Sequence, residues 1–310
     1  MRINYFIKRF IRDFLFDIGI ISRPNPFHLS NLYNLKYYFL SLKRDAELAK
    51  GDVVCLMCTW MEEIVSPLAI ESTKDFVSRY VIVDKGVGDT VDVIKECSDE
   101  WNLDVDIYVK PELNLRESRA FALETISEPW ILVQDGDMVF HTDGPLAIAN
   151  LRKFMDRPNI LLSSPMNTLW EDFLSRRNDY VRMGAHPILY HNNGTLRAPD
   201  IKHDLPVMDG WMVNLGKPYV FNCLVKSPKR MFLRSFWRKW WDYQMYEKYP
   251  NIEDYVTQEL NIDVECEAKK YHTDLKLRLI PYDEKKWGYY PEVIRNYLEK
   301  SKKYRDARKL

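Results

Sequence analysis

The sequence predicts an α/β fold: a mostly parallel central sheet flanked by helices, preceded by a helical extension. Three observations predict it. Apolar runs recur at Val53 to Cys58, Tyr80 to Val83 and Trp130 to Val133, and an apolar alternation at Leu103 to Val109, each a length suited to one strand. The stretches between them carry helical periodicity and are long enough for crossover connections, the pattern of successive β-α-β units. With 310 residues, 46% hydrophobic and 29% charged, the chain can bury a substantial core.

Taken in order, residues 1–50 form the extension. Ile3, Ile7, Phe10, Phe14 and Ile18 repeat at helical spacing, with Lys8, Arg9, Arg12 and Asp13 on the other side. Pro24 and Pro26 end that amphipathic helix, and a second helix is expected from about Leu32 to Leu48. Residues 51–290 read as one domain. Its first strand is Val53 to Cys58, followed by a helix from about Glu62 to Ser72 and the strand Tyr80 to Val83. Asp89 or Thr90 is expected to cap a helix that buries Ile94, Cys97 and Trp101. Alternation from Leu103 to Val109 gives a half-buried strand, Leu115 to Ile126 a helix and Trp130 to Val133 a buried strand.

The second half is less regular. A hairpin is expected over His186 to Pro199 through Asn193-Gly194, and two strands over Trp211 to Val225 around Gly216-Lys217-Pro218. Aromatic residues crowd one expected helix from Phe232 to Tyr249, where Trp237, Trp240, Trp241 and Tyr243 supply core, a sugar-binding face, or both. Residues 291–310 form a basic C-terminal helix or tail.

Composition excludes several classes. The 45 basic residues balance the 45 acidic ones, so there is no broad positive field for nucleic acid. Only 11 glycines are present, and no Gly-x-Gly-x-x-Gly follows a strand. The five cysteines, at 55, 58, 97, 223 and 266, are too few and too dispersed for a disulfide framework. Cys55 and Cys58 lie within an apolar run as small hydrophobes. No apolar stretch reaches the ~18 residues of a membrane span, and the N-terminus lacks a signal-peptide pattern. A cytoplasmic protein is expected, held at a membrane periphery if the first helix docks there rather than on the domain. The six histidines form no zinc motif, and neither a Gly-x-Ser-x-Gly elbow nor a P-loop occurs.

Ligands of a parallel sheet gather beyond the carboxyl ends of its strands, so polar residues there carry the chemistry. Gln134-Asp135-Gly136-Asp137 places two carboxylates directly after a buried strand. Their mutual repulsion is relieved by a hard divalent cation, which can also bind phosphate oxygens; a surface turn is the other reading. The second strand ends similarly, in Val83-Asp84-Lys85-Gly86-Val87.

In these motifs the chain resembles the family-two glycosyltransferases of the GT-A fold. The likeness covers about residues 52–140. It runs through the Thr-containing turn Cys58-Thr59-Trp60-Met61-Glu62, the Asp-containing turn at Asp84 with Lys85 in place of the usual second aspartate, Ser118-Arg119-Ala120-Phe121-Ala122-Leu123, and the Asp-x-Asp at Asp135-Gly136-Asp137. The resemblance implies a nucleotide-binding half over 51–140 and an acceptor half over 141–290. It implies that Asp84 accepts a hydrogen bond from the nucleobase and that Arg119 approaches the diphosphate. Thr59, Glu62 and Arg116 would stand alongside in the donor site. Asp135 would face the ribose or the metal, and Asp137 would ligate Mg²⁺ or Mn²⁺, with His272 as a further candidate ligand.

The acceptor base, by the same resemblance, is expected in a Glu-Asp pair on a helix after an aromatic segment. Glu253-Asp254 fits, with Asp254 taking the acceptor proton; an acidic first helical turn is the other reading. Asp209, beside Trp211, together with Asp204 and Glu171-Asp172, are rivals. The expected activity is metal-dependent transfer of a sugar from a nucleoside diphosphate donor, UDP-sugar favoured, to a glycan, lipid or other hydroxyl acceptor, with inversion. The alternatives are a sugar-phosphate nucleotidyltransferase and a non-catalytic carbohydrate-binding or scaffold module.

Overall fold

Val53–Thr59 (β1) is buried along its whole length, which is why its sequence runs apolar without alternating. The computed structural model describes residues 53–145, 148, 160–170, 172–177, 183–192, 196–197, 205–206, 211–214 and 219–307. The two expected N-terminal helices, the Asn193-Gly194 and Gly216-Lys217-Pro218 turns, Asp204, Asp209, Glu171 and the last three residues of the tail lie outside the described residues.

β1 pairs in parallel with β2 (Arg79–Asp84) on one side and β4 (Trp130–Val133) on the other, and β2 pairs in parallel with β3 (Val105–Val109). The order β3-β2-β1-β4 brings the carboxyl ends of β1, β2 and β4 to one edge. The connecting helices are α1 (Ser66–Glu71), α2 (Thr90–Glu100) and α3 (Leu115–Glu124). Side chains alternate between the faces of β1. Val53, Cys55 and Met57 pack with Ala69 and Ile70 of α1 and Ile94 and Cys97 of α2, while Val54 and Leu56 pack with Ala122 of α3. Cys55 and Cys58 are buried and unbridged, as the apolar run implies.

Two helix starts are informative. α3 opens with a capping box: Asn114 Oδ1 accepts the N–H groups of Arg116 and Glu117, and Glu117 Oε2 accepts the Asn114 N–H at 2.7 Å. α2 starts at the expected place without a side-chain cap from Asp89. The Thr90 hydroxyl is used instead to accept the Glu62 N–H at 2.9 Å, tying the helix to the turn after β1.

The second half completes a mixed sheet with β5 (Met138–Phe140), β6 (Ile160–Trp170), β8 (Met183–His191), β9 (Trp211–Asn214) and β10 (Val220–Leu224). The order is β3-β2-β1-β4-β8-β6-β10-β5, with β9 also paired to β6. A short β7 (Ser175–Arg177) pairs with β11 (Leu279–Pro281) apart from it. The long β6 has no counterpart among the sequence expectations because its middle, Ser163-Ser164-Pro165 and Asn167-Thr168, interrupts the apolar pattern. Two strands do form within Trp211 to Val225, but they do not pair with each other. Both run parallel to β6 along one of its edges, β9 against Ile160–Ser163 and β10 against Met166–Trp170.

The single helix expected from Phe232 to Tyr249 is two short ones, α4 (Pro228–Arg234) and α5 (Trp237–Asp242). Ser235 ends α4 by turning its hydroxyl onto the Phe232 carbonyl at 2.7 Å, and Gln244, at φ 53°, stops further helix after α5. Next come α6 (Ile252–Asp254), continuing into a wide π turn over Tyr255–Glu259, then α7 (Val264–Lys276), α8 (Glu284–Trp287) and α9 (Glu292–Ala307). α9 buries Ile294 against Val65, Leu68 and Phe221, so the start of the expected C-terminal helix packs on the domain. No helix among the described residues is long and apolar enough to cross a membrane.

Candidate active site

The last residues of β1 and β2 are register partners, which sets Thr59 beside Asp84. The Thr59 hydroxyl donates to Asp84 Oδ2 at 2.6 Å, and the Gly86 N–H donates to Asp84 Oδ1 at 2.6 Å. Gly86 has φ 67°, and a Cβ there would lie 2.8 Å from Val109, so this turn needs glycine. Burial pushes the Asp84 carboxyl above its ordinary range, opposed by those two hydrogen bonds. Lys85, also buried, donates to Ser118 Oγ at 2.9 Å, and burial lowers its pKa to about 8.

Gln134 pins the Asp-x-Asp loop. Its amide nitrogen donates to the carbonyls of Ala69 and Met138 at 2.8 and 2.9 Å, and its oxygen accepts from Thr73 Oγ1 at 3.0 Å. The loop backbone extends the sheet on both sides, with Gly136 N–H donating to the Cys58 carbonyl and Cys223 N–H to the Asp137 carbonyl. Arg119, 2% exposed on α3, sends Nη2 to both oxygens of Asp135, at 2.7 and 2.6 Å. A charge-assisted contact of this kind fixes the orientation of the carboxylate. Arg116, half-buried one turn earlier on α3, donates its backbone N–H to the capping Asn114.

Glu62 reaches the same loop from the turn after β1, where Met61 has φ 56°. A Cβ on Gly136 would stand 2.3 Å from Glu62 Oε2 and 2.6 Å from Thr59 Cγ2, so the glycine is what lets these two side chains close over the loop. Glu62 Oε1 is paired with Lys226 Nζ at 2.7 Å, and Oε2 is buried with no hydrogen-bond partner. Burial, countered by Lys226 and reinforced by the charge of Asp137, raises the Glu62 pKa to about 7. Burial also raises Asp137, with Arg234 opposing and Asp135 adding to the shift.

Sequence reasoning passed over the basic side of this site. Lys226, Arg230 and Arg234 pair with Glu62 at 2.7 Å, Glu63 at 2.5 Å and Asp137 at 3.5 Å. The four-residue spacing of Arg230 and Arg234 was the available signal, since it aligns two long cations along one side of α4; Lys226 precedes the helix. His186, on β8, is also drawn in: burial lowers its pKa to about 4, and the charges of Asp135 and Arg119 both act on it.

For a divalent cation, the structure offers the orphaned Glu62 Oε2 and the Asp137 carboxylate. This is the hard oxygen donor set that Mg²⁺ and Mn²⁺ take when water and phosphate complete the shell. Both Asp135 oxygens already accept from Arg119. His272 stands on α7, and no grouping of three or more His, Cys, Asp or Glu suited to a metal occurs among the described residues. Asp254 is exposed on α6. Its neighbour Glu253 pairs with Lys229 of α4 at 2.8 Å, and no hydrogen bond or ion pair among the described residues joins Asp254 to the Asp-x-Asp loop.

The structure therefore brings Thr59, Glu62, Asp84, Arg119, Asp135 and Asp137 to one edge, while Asp254 stands on α6 and His272 on α7. Trp60 flanks this edge, its ring centroid 6.0 Å from that of Trp237 and 5.7 Å from Lys226 Nζ.

No family model and no curated protein sequence matches the chain. Among solved structures it is similar to S. aureus TarS 1-349, at 14% identity and TM-score 0.39, over 60% of this chain and 64% of that one. The same fragment in complex with UDP-GlcNAc gives 14% identity and TM-score 0.41, over 60% and 65%. The inositol-1-phosphate CTP transferase from T. maritima gives 10% identity and TM-score 0.38, over 58% and 92%. The chain spans less than two thirds of the length of these TarS structures.

Proposed function

We propose that the protein transfers a sugar from a nucleoside diphosphate donor to a hydroxyl acceptor. The observation that carries this reading is the strand-end cluster: a buried carboxylate at Asp84, the Arg119–Asp135 pair and the Glu62–Asp137 carboxylates, all at the carboxyl edge of β1, β2 and β4. In this reading Asp84, held by Thr59 and Gly86, accepts a ring N–H, which favours a uracil-type base. Arg119 holds Asp135 toward the ribose. Mg²⁺ or Mn²⁺ would be held by Asp137 and Glu62 and, when bound, would neutralise charge on the diphosphate. Asp254 takes the acceptor proton as general base and works with inversion of the anomeric centre.

A thermal-shift screen of nucleoside diphosphate sugars, with and without Mn²⁺, tests the reading, since a true donor stabilises the fold by mass action. Asp137→Asn should remove the Mn²⁺-dependent part of the shift while leaving the unfolding of the free protein cooperative. Product analysis then separates the two transferase classes. Nucleoside diphosphate release marks glycosyl transfer, and pyrophosphate release marks a nucleotidyltransferase.

A further inference from the structure

Of the three cations on the basic side of the site, Lys226 and Arg230 make short ion pairs and Arg234 does not. Lys226 donates to Glu62 Oε1 and to the Trp60 carbonyl at 2.7 and 2.9 Å, and Arg230 meets Glu63 at 2.5 Å. Arg234 reaches Asp137 only at 3.5 Å through Nη2, and its Nη1 is buried with no hydrogen-bond partner. A buried charged donor without an acceptor is costly, and a guanidinium is built to fork onto several oxygens of one anion. The incomplete pair stands on the second carboxylate of the Asp-x-Asp loop, at the sheet edge where ligands of this topology gather.

We propose that Arg234 is the fixed cation that receives the diphosphate of the donor, exchanging its loose contact with Asp137 for phosphate oxygens. The inference rests on the nucleotide-sugar reading above and adds the residue that takes up charge in the step. There, the acceptor oxygen forms a bond to the anomeric carbon, and its proton passes to the base. The bond from that carbon to the β-phosphate oxygen breaks, its electron pair leaving with the nucleoside diphosphate. The negative charge gathers on that oxygen, and a guanidinium already in place stabilises it without reorganisation. Lys226 and Arg230 hold the turn after β1 and do not take part in the exchange.

Calorimetric titration in EDTA tests this on the full chain. UDP, GDP, CDP, ADP and TDP are compared, and the tightest binder is then set against its monophosphate. Arg234→Gln should weaken the diphosphate about 10- to 100-fold and leave the monophosphate unchanged. Arg234→Lys should recover part of the loss, and Arg230→Gln should keep the wild-type ratio. Urea unfolding of each variant confirms that it is folded. An unchanged diphosphate-to-monophosphate ratio in Arg234→Gln overturns the proposal, as does an equal loss in Arg230→Gln, which would mean a diffuse field. Binding that appears only when Mn²⁺ replaces EDTA overturns the proposal, because a fixed cation acts without the metal; if the wild type binds none of the five diphosphates in EDTA or in Mn²⁺, the nucleotide-sugar reading itself fails.

Discussion

Lys226 and Glu62, 164 residues apart in sequence, meet at 2.7 Å with side chains only 4% and 8% exposed. The pair joins the turn after β1 to the segment leading into α4, and so ties the two halves of the domain together at the site. Because both charges are desolvated, neither is tolerated without the other.

Lys226→Met should therefore destabilise the fold by about 3–5 kcal/mol at pH 8, where the Glu62 left behind is ionised in the wild type. The double variant with Glu62→Gln should recover most of that loss, since it buries no charge. Urea unfolding of the four proteins gives the coupling directly, and additive losses would show that the ion pair is not the cause.

Gly136→Ala tests how closely the site is closed. The added methyl would meet Glu62 Oε2 at 2.3 Å and Thr59 Cγ2 at 2.6 Å, on a loop already held by Gln134. Overpacking of this kind typically costs ~1–3 kcal/mol. The expected outcome is a fall in the urea midpoint together with weaker Mn²⁺-dependent donor binding. A variant with wild-type stability and affinity would mean that Glu62 is not held over the loop.

The parallel half of the fold was legible because β1, β2 and β4 are buried and bounded by polar turns, so apolar runs and strand ends coincide, while the half-buried β3 at the sheet edge shows as an alternation. Thr59, Asp84, Asp135 and Asp137 were candidates for the same reason: each lies within four residues of the end of such a run. The mixed half was not, because β6 buries serines, Asn167 and Thr168 instead of an apolar stripe. Nor could β9 and β10 be assigned to one strand's edge, since nothing local distinguishes two strands in a hairpin from two laid end to end. The basic side of the site depends on Lys226, Arg230 and Arg234, and surface cations at that spacing are common on helices. Only the tertiary pairing with Glu62, Glu63 and Asp137 singles them out.

Asp254→Asn is expected to lower kcat by ~10²- to 10⁴-fold while leaving donor affinity unchanged, as removal of a general base does when the diphosphate site is intact. Steady-state transfer and donor titration on the same preparation check this. Full activity would move the base to another carboxylate, with Asp209 tested next.

Lys85 supplies a stability prediction with a definite pH window. Its ammonium is buried beside Ser118, and burial lowers its pKa to about 8 in the fold from 10.5. Below pH 8 both folded and unfolded chains carry the proton, and the full penalty of burying it is present. Between about pH 8 and 10.5 the unfolded chain still binds the proton and the folded one releases it, so stability rises with pH. The total rise from this one group is about 3 kcal/mol, taking 1.36 kcal/mol per pKa unit. Lys85→Met lacks the titration, and comparing it with the wild type cancels the other groups that ionise in this range. Wild-type stability relative to Lys85→Met should therefore climb from pH 7.5 to 10 in urea unfolding; a difference that stays flat would show that Lys85 is not held as a buried, readily neutralised amine.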